Sequence, residues 1–427
     1  MPQSLKQTSI RNTVQFNMLM LLSLYLAQGL PVGFMTQALP ALLRSYGVSL
    51  TQIGISGVLM LPWAIKFLWA PLIDHYAHSR LGHYRSWILF MQACTLFSLL
   101  LLAFSPPQQL QQMSVLWGFF GILLLMNLSC ATQDIATDGL AVKILKNHQL
   151  HWGNTFQVIG SRLGFIFGGG ALLYAIDLLT WKSSFILLAL VVVLNSLPIL
   201  FFREQISCPL TLPESKKAVP IMTKLKTIYL ALWQQQETRI WLGVLLSYKI
   251  ADGLSGPIIK PMMVDMGLSL SQIGLNVTML GAGFAVLGAW WASIFIKRFN
   301  LGRMLIFFSI LQSLAIGYYL ALAWCFEQQI IVADWHLYIA NILEETFAAM
   351  SLVAMLSLIM KYSRQQFAAT DFTFQVAMMT LVSGGLYMIS GALTDILGYR
   401  GVFMLIFILS LVCLWPKIYW YKRATMI

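Results

Sequence analysis

The sequence predicts an all-α membrane protein of 12 transmembrane helices, arranged as two six-helix pseudo-symmetric halves. Three observations support this prediction: an apolar composition, membrane-length apolar segments along the whole chain, and an internal repeat. Of the 427 residues, 59% are hydrophobic and 10% are charged, and the mean hydropathy is +0.76. A soluble protein of this length needs a more highly charged surface.

Apolar segments long enough to cross a bilayer, about 20 residues each, recur from one end of the chain to the other. Because no water reaches the hydrocarbon, the backbone groups of each segment must pair within it, so each is expected to be a helix. The first segment is too long to be the apolar part of a cleaved signal peptide. In chain order, spans 1 to 12 are predicted at residues 14–39, 50–73, 87–104, 114–141, 153–176, 183–202, 238–262, 271–296, 303–325, 331–360, 367–394 and 400–421.

The lysines and arginines predict the orientation of these spans. With the N-terminus in the cytoplasm, twenty of them fall in inside segments, Lys417 among them, and three fall outside, which are Arg44, Lys182 and Arg400. This bias follows the positive-inside rule and places both termini in the cytoplasm. The net charge of +12 therefore reflects topology. Because the basic residues lie in separate loops, they do not indicate nucleic-acid binding.

An internal repeat divides the chain into a half at 1–202, a cytoplasmic linker loop at 203–237 and a second half at 238–427. Because each half holds an even number of spans, the halves are parallel repeats, an architecture typical of the major facilitator superfamily. The recurring segments, offset by 218 to 220 residues, are GVSLTQIG (47–54) with GLSLSQIG (267–274), TFQV (155–158) with TFQV (373–376), and DLLTWKSSF (177–185) with DILGYRGVF (395–403).

Polar residues recur in spans 1, 4, 7 and 10, the helices that line the central cavity in this architecture, whereas the interiors of spans 3, 6, 9 and 12 carry no ionisable residue. An unpaired charge is costly in hydrocarbon, so these side chains are expected to face the cavity or a partner. The candidates for proton coupling or cavity lining are Asp134, Asp138, Arg162, Lys249, Asp252, Glu344 and Glu345, and the polar cavity candidates are Gln28, Gln37, Gln157 and Asn341.

Asp134 and Asp138 lie one helical turn apart in span 4, so they share a face. Two carboxylates at this spacing are candidates for a proton site. Alternatively they are structural anchors or, for Asp138, part of a cytoplasmic gate. Arg162 is expected at the same depth on span 5, where it either pairs with Asp134 or binds an anionic ligand.

In span 7, Lys249 and Asp252 are expected to pair at i, i+3, either as cavity residues or as a pair that only neutralises itself. In span 10, Glu345 shares a helical stripe with Tyr338 and Asn341, which makes it the stronger cavity candidate of the two glutamates. The other glutamate is expected to meet span 11 or the charges of span 7.

Four residues near the predicted cytoplasmic ends of spans are candidates for a gate. Lys66 is alternatively expected to extend along its span toward the cytoplasmic surface. Asp371 is alternatively expected to be an N-terminal charge of the span 11 helix. The gate candidates are Lys66, Asp74, Arg85 and Asp371.

Small residues recur at every fourth position in two spans, a spacing that allows helices to approach closely. Both stripes are expected at the interface between the halves, where sliding would accompany transport. The stripes are Gly160, Gly164 and Gly168 in span 5, and Gly281, Ala285 and Ala289 in span 8.

Several segments resemble one branch of the major facilitator superfamily, which includes muropeptide permeases and acetyl-coenzyme A transporters. Within that branch, the similarity is greatest to siderophore importers of the rhizobactin and pyochelin type. The resemblance implies a monomeric, proton-driven importer of a ferric siderophore in a bacterial inner membrane, without a resident cofactor. The segments are LYLAQGLPVGFMTQALPALLR (24–44), LPWAIKFLWAPLIDHY (61–76), ATQDIATDGLAV (131–142), GNTFQVIGSRLGFIFGGGALL (153–173) and TDFTFQ (370–375).

The loop after span 2 departs from the pattern G-x-x-x-D-R-x-G-R that is usual in the superfamily. Ala70 stands in place of the glycine and His75 in place of the arginine, whereas Asp74 is retained. Basic residues come later, at Arg80 and Arg85. The gate contacts of this loop are therefore expected to differ in detail.

Two alternatives stay open: a permease of the same branch for muropeptides or another organic anion, and a membrane sensor or intramembrane enzyme. The sequence contains no phosphate-binding loop, nucleophile elbow or HExxH motif, which argues against an enzyme. Its histidines form no cluster that could bind iron directly. Its five cysteines are scattered without a CxxC pair, so no disulfide framework or zinc site is expected. The expected partners are a small-molecule solute, protons and the lipid bilayer.

Overall fold

The helices of the protein follow the predicted spans. The computed structural model describes residues 3–39, 59–76, 81–105, 112–204, 236–268 and 272–424. Within these ranges, nine helices are long and apolar enough to cross a membrane. The chain is therefore a multi-pass membrane protein, and the number of twelve spans stays a prediction because part of span 2 and most of the linker lie outside these ranges.

The first half of the chain is helical in each predicted span. Span 1 continues past its α-helix as a π-helical turn, and span 5 contains such a turn between two α-helices. The helices are Gln3–Gly33 with Phe34–Ala38 (span 1), Leu61–Ile65 and Ala70–His75 (span 2), His83–Phe104 (span 3), Met113–Ile144 (span 4), Leu150–Ile166, Phe167–Ala171 and Leu172–Leu178 (span 5), and Trp181–Phe201 (span 6).

The second half of the chain is equally helical. Its last two predicted spans form two helices that meet at a break at Gly398, and a short terminal helix follows them. The helices are Gln236–Tyr248 and Ile250–Asp265 (span 7), Ile273–Met279 and Leu280–Arg298 (span 8), Leu301–Glu327 (span 9), Asp334–Tyr362 (span 10), Ala368–Val412 (spans 11 and 12) and Leu414–Ala424 (end of span 12).

Proline and glycine explain two of the breaks in these helices. In span 2, Pro62 and Pro71 lie in the first turns of two short helices, where a proline's missing N–H is not needed. A 3₁₀ turn at Lys66–Leu68 joins them. Between spans 11 and 12, Gly398 has a φ of +67°, a conformation that a side chain would strain. The break between these two spans therefore depends on a glycine.

By its contacts the chain divides into two compact units. The N-terminal unit comprises Met1–Leu210 and Ser363–Thr373, and the C-terminal unit comprises Thr211–Tyr362 and Phe374–Ile427. We call Ser363–Thr373 the connector, because it joins spans 10 and 11 in sequence. The predicted limits of the two halves and of the linker stay predictions.

Each unit has an apolar core of its own. In the N-terminal unit, Phe34 packs edge-on against Phe185 with 5.5 Å between the ring centroids. In the C-terminal unit, Tyr319 stacks on Phe403 with 5.6 Å between the centroids. Such aromatic pairs stabilise a core beyond the burial of their area.

The small-residue stripes face neighbours within their own units, so the prediction that they meet between the halves is wrong. A Cβ at Gly164 would lie 2.5 Å from the carbonyl oxygen of Leu26, and span 1 therefore crosses span 5 at backbone contact. In the C-terminal unit, a Cβ at Gly281 would lie 2.5 Å from Asn341 Nδ2 in span 10. Small residues indicate close approach, but they do not specify the neighbour.

The two copies of one repeat segment cannot be compared in three dimensions. GVSLTQIG (47–54) lies outside the described residues, as does part of GLSLSQIG (267–274). One packing feature does recur: in the C-terminal unit, Gly253 of span 7 meets the backbone of Ser383 in span 11, as span 1 meets span 5 in the N-terminal unit. The pseudo-symmetry of the halves stays a prediction.

Candidate functional site

In the N-terminal unit, a buried ion pair joins span 2 to span 4. The Lys66 ammonium pairs with the Asp134 carboxylate, and the two residues are only 5% and 8% exposed. On either side of the pair, the indole N–H groups of Trp63 and Trp69 donate to side chains of span 4, each at 3.2 Å. These contacts hold the 3₁₀ turn at Lys66–Leu68 against span 4, so the lysine points into the unit.

The prediction that Lys66 extends toward the cytoplasmic surface is wrong. Its ammonium reaches a carboxylate inside the unit, and a paired charge no longer needs to reach water. Asp134 thus has a partner that the sequence pattern did not reveal. Its predicted pairing with Arg162, which is half-buried in span 5, stays a prediction.

Asp138, one turn further along span 4, has a different environment. It is 2% exposed and accepts hydrogen bonds from the Tyr25 hydroxyl at 2.8 Å and from Gln157 Nε2 at 3.2 Å. Between the two aspartates, Thr137 Oγ1 accepts a hydrogen bond from Gln28 Nε2 at 2.9 Å. Asp134 therefore pairs with a cation, whereas Tyr25 and Gln157, which donate hydrogen bonds to Asp138, are neutral.

These residues form what we call the N-terminal polar network, which brings together several of the predicted site residues. The side chain of Gln37, also predicted to line the cavity, lies outside the described residues. Tyr25 joins the network although its aromatic ring gave no sign of this in the sequence. The members are Tyr25, Gln28, Lys66, Asp134, Asp138 and Gln157.

In the C-terminal unit, the predicted pair of span 7 is confirmed. Lys249 Nζ lies 2.5 Å from Asp252 Oδ2, and Gln312 Nε2 of span 9 donates to Asp252 Oδ1 at 2.6 Å. The span 7 helix is interrupted at Lys249, between Gln236–Tyr248 and Ile250–Asp265. Lys249, Asp252 and Gln312 form what we call the C-terminal polar network.

The polar stripe of span 10 packs against span 8. Asn341 Nδ2 donates to the carbonyl oxygen of Val277 at 2.8 Å, and a Cβ at Gly281 would lie 3.3 Å from Glu345 Cγ. Glu344 acts electrostatically on Lys249, in agreement with the prediction that it meets the charges of span 7. Both glutamates are half-buried, and their role in a cavity stays a prediction.

The connector is held to the end of span 2 by Asp74. The carboxylate accepts hydrogen bonds from the Thr370 backbone N–H at 2.7 Å, the Thr370 hydroxyl at 2.6 Å and the Ala369 backbone N–H at 3.2 Å. It also accepts one from the Tyr84 hydroxyl at 2.5 Å. Asp74 thereby caps the first turn of the span 11 helix, whose N–H groups have no partner within the helix.

Burial and hydrogen bonding act on Asp74 in opposite directions. Burial raises the pKa of the Asp74 carboxyl above its ordinary value, and the hydrogen bonds that it accepts from Thr370 and Tyr84 offset part of that rise. The hydrogen-bond donors that converge on Asp74 therefore stabilise its carboxylate against the cost of burial.

A second carboxylate fixes the turn inside the connector. Asp371 is fully buried and accepts two hydrogen bonds from the Arg364 guanidinium, at 2.7 and 2.8 Å. Such bidentate pairs combine strength with a fixed geometry. The prediction that Asp371 is an N-terminal charge of the span 11 helix is confirmed, because it lies in the first turn of Ala368–Val412.

Arg85, the remaining gate candidate, caps another helix. Its guanidinium donates to the carbonyl oxygens of Ile199 at 3.1 Å and Leu200 at 2.7 Å, in the last turn of span 6. Glu204 in turn accepts the backbone N–H of Arg85 at 3.0 Å. Basic side chains commonly satisfy the free carbonyl groups at a helix C-terminus. A gating role for Arg85 stays a prediction.

Sequence reasoning also misplaced Lys417. It was assigned to a cytoplasmic segment, and spans 9 and 12 were expected to lack ionisable residues in their interiors. In the structure Lys417 lies in the helix Leu414–Ala424, is 5% exposed and donates to Ser309 Oγ of span 9 at 2.8 Å. The signal was available, because Ser309, Gln312 and Ser313 repeat at i, i+3 and i+4 along one face of span 9.

No metal centre is formed by the described residues. Among them, no group of three or more histidine, cysteine, aspartate or glutamate side chains is placed to hold a metal ion. The two polar networks can instead bind protons and donate or accept hydrogen bonds.

Two family models match the chain, one in each half. The model described as acetyl-coenzyme A transporter 1 matches residues 15–176, and the model described as the major facilitator superfamily matches residues 240–426.

Curated relatives extend along most of the chain. An uncharacterized protein of Haemophilus influenzae is 26% identical over 388 residues, which are 88% of this chain and 87% of that protein. The anhydromuropeptide permease of Escherichia coli K12 is 26% identical over 369 residues, which are 84% of this chain and 70% of the permease.

Solved structures share the fold. A bacterial homologue of the iron transporter ferroportin, in an outward-facing state, superposes with a TM-score of 0.69 at 14% identity, covering 96% of this chain and 100% of that one. At this identity the similarity shows the fold alone. The chain therefore has the fold of a major facilitator transporter, and a family model of membrane transporters matches each of its halves.

Proposed function

We propose that the protein is a proton-coupled permease that imports a muropeptide or a related organic solute across a bacterial inner membrane. The observation that supports this most is the similarity to an anhydromuropeptide permease along 84% of the chain. It favours the muropeptide alternative over the siderophore cargo that the ATQDIATDGLAV motif implied. Siderophore import is kept as the competing outcome of the experiment below.

Asp138 is the proton site of this proposal. Asp134 is compensated by Lys66, so protonating Asp134 would leave a buried ammonium without its partner. Asp138 is held by the neutral donors Tyr25 and Gln157. A hydroxyl can rotate to accept a hydrogen bond from a protonated carboxyl, so the Tyr25 contact survives both states. Binding of a proton at Asp138 thus removes a buried charge without breaking an ion pair.

The connector supplies the conformational element of the proposal. The connector is continuous in sequence with spans 10 and 11. Within the N-terminal unit, Asp74 of span 2 holds the first turn of the span 11 helix. Release of the Asp74 contacts frees the first turn of span 11 to move. The permease acts as a monomer with both termini in the cytoplasm.

The cargo is tested by complementation. In a bacterium whose own anhydromuropeptide permease is deleted, expression of this protein is expected to reduce the anhydromuropeptides released into the medium, whereas the Asp138→Asn variant, at equal membrane abundance, is not. The matched control is Asp334→Asn, an exposed carboxylate at the predicted outer end of span 10. Unchanged release, combined with restored growth of an importer-deficient strain on a ferric siderophore, would reject the muropeptide cargo in favour of the siderophore.

A further inference from the structure

Lys417 is a buried cation in the C-terminal unit, apart from the polar networks described above. Its ammonium donates to the neutral Ser309 hydroxyl at 2.8 Å and lies 5.3 Å from the centre of the Tyr248 ring. The Asp252 carboxylate acts on it only at longer range, and both oxygens of that carboxylate are bonded, by Lys249 and Gln312. The contacts of Lys417 are therefore neutral.

A small polar cavity adjoins the ammonium. It is about 20 Å³ in volume, which is enough for a water molecule. Its walls come from spans 7, 9 and 12, and they include Gln312 of the C-terminal polar network. The polar lining residues are Ser247, Ser309, Gln312, Ser313, Ser410 and Lys417.

The surroundings of Lys417 fit two protonation states. When the lysine is charged, it donates to Ser309 Oγ, and the face of the Tyr248 ring attracts it. When the lysine is neutral, the Ser309 hydroxyl rotates and donates to the amine, because a hydroxyl can both give and accept. Neither change requires a helix to move, and the cavity beside the ammonium has room for one water molecule.

The carboxylates of this region act first on another lysine. Asp252 pairs with Lys249 and Glu344 acts on Lys249, whereas the hydrogen-bond partner of Lys417 is a neutral hydroxyl. Burial disfavours a charge that no opposite charge offsets. The other titratable residues near Lys417 are Tyr248 of span 7, whose ring lies against the ammonium, and Cys413 of its own span, and both are neutral near pH 7.

We propose that Lys417 is a proton-binding site, whose amine takes up and releases a proton at the water-sized cavity between spans 7, 9 and 12. Only the biological role of this site rests on the proposed proton coupling. The site lies in the C-terminal unit and is additional to Asp138 in the N-terminal unit. The amine, not a carboxylate, is the group that changes charge.

The test compares apparent Tm in detergent between pH 7 and pH 9.5 for the full chain and three variants. A buried lysine that prefers the neutral state binds fewer protons when folded than when unfolded, so it destabilises the fold at low pH and this cost fades as pH rises. Lys417→Met is therefore expected to exceed wild type by at least about 2 °C at pH 7 and to lose part of that advantage by pH 9.5, where an unfolded lysine is still largely protonated.

Two further variants make the result specific. Lys417→Arg keeps its charge at every pH, so its deficit against wild type is expected to grow as pH rises. Lys297→Met, an exposed lysine of span 8, is expected to differ from wild type by a constant amount. If the difference between Lys417→Met and wild type does not change with pH, Lys417 does not titrate in this range and the proposal is overturned. No cargo is added, so a wrong cargo leaves this result unaffected.

Discussion

At Lys66 and Asp134, two charges that would each be costly alone in hydrocarbon neutralise one another inside the N-terminal unit. Lys249 and Asp252 do the same in the C-terminal unit. Lys417 differs, because its hydrogen-bond partner is a neutral hydroxyl. The same residue type is therefore paired with a carboxylate in one place and with a hydroxyl in another, according to the partner that the neighbouring helix supplies.

The pairing of Lys66 with Asp134 predicts a specific pattern of mutant effects. Lys66→Met and Asp134→Asn are each expected to cost about 3–5 kcal/mol of stability, because each strands the other charge. The double variant is expected to be no worse than the worse single variant. A double-mutant cycle on folded yield and thermal stability measures this coupling. Strictly additive losses would show that the two residues act independently.

Residue positions within spans were predictable from the sequence, whereas their partners were only partly so. The Lys249–Asp252 pair lies within one helix, and the i, i+3 spacing alone specifies it. The Lys66–Asp134 pair joins two helices 68 residues apart in sequence, so it depends on packing that no local pattern encodes. Lys417 was misplaced for a related reason, because its contact with Ser309 joins two helices 108 residues apart in sequence.

At the scale of elements, span 1 and span 5 meet along glycines. The connector is held to span 2 by the Asp74 carboxylate, which caps the first turn of the span 11 helix. Hydropathy located the helices, and proline or glycine marked breaks at span 2 and at Gly398. The partner of each small-residue stripe could not be predicted, because the spacing of small residues reports close approach and not the identity of the neighbour. The Asp74 cap was anticipated only as a gate candidate.

The crossing of spans 1 and 5 is tested by adding one methyl group. Gly164→Ala would place its Cβ 2.5 Å from a backbone oxygen of span 1, whereas Gly170→Ala in the same span meets nothing within 4 Å. Overpacking of this kind costs about 1–3 kcal/mol. Gly164→Ala is expected to lower the apparent Tm and folded yield clearly more than Gly170→Ala. Equal effects would show that the spans do not cross at Gly164.

Removal of the Asp74 cap is expected to lower the stability of the fold more than removal of an exposed ion pair does. Asp74→Ala leaves backbone and side-chain donors of the connector without their acceptor, at a cost of about 1–2 kcal/mol. Glu327→Ala removes a partly exposed carboxylate 3.8 Å from Arg400 and is expected to cost less. Thermal unfolding of both variants in detergent compares them. A smaller loss for Asp74→Ala than for the control would contradict the capping role.

At the scale of the whole molecule, the composition and the repeat predicted the class of protein, and the structure and the comparisons support it. Each unit holds its own core and its own polar network, which suits a transporter built from two repeats. The cargo could not be deduced from physical patterns, because hydropathy and pairing describe how charges are tolerated and not which solute is recognised.

Orientation in the membrane is a prediction of the positive-inside bias. A green fluorescent protein fused after the C-terminus is expected to fluoresce, because that terminus is placed in the cytoplasm. Alkaline phosphatase inserted after Gln329, in the turn between spans 9 and 10, is expected to be active outside. An inactive phosphatase together with a non-fluorescent C-terminal fusion would show that the topology is the opposite of the predicted one.

Uptake by the purified protein in liposomes tests the central claim of proton-coupled muropeptide import most directly. Labelled anhydromuropeptide is offered outside, with the exterior more acidic than the interior. Wild type is expected to accumulate it several-fold above the level reached without a pH gradient, and the Asp138→Asn variant to show no dependence on the gradient. Accumulation that ignores the gradient, or uptake of a ferric siderophore with none of the muropeptide, would contradict the account.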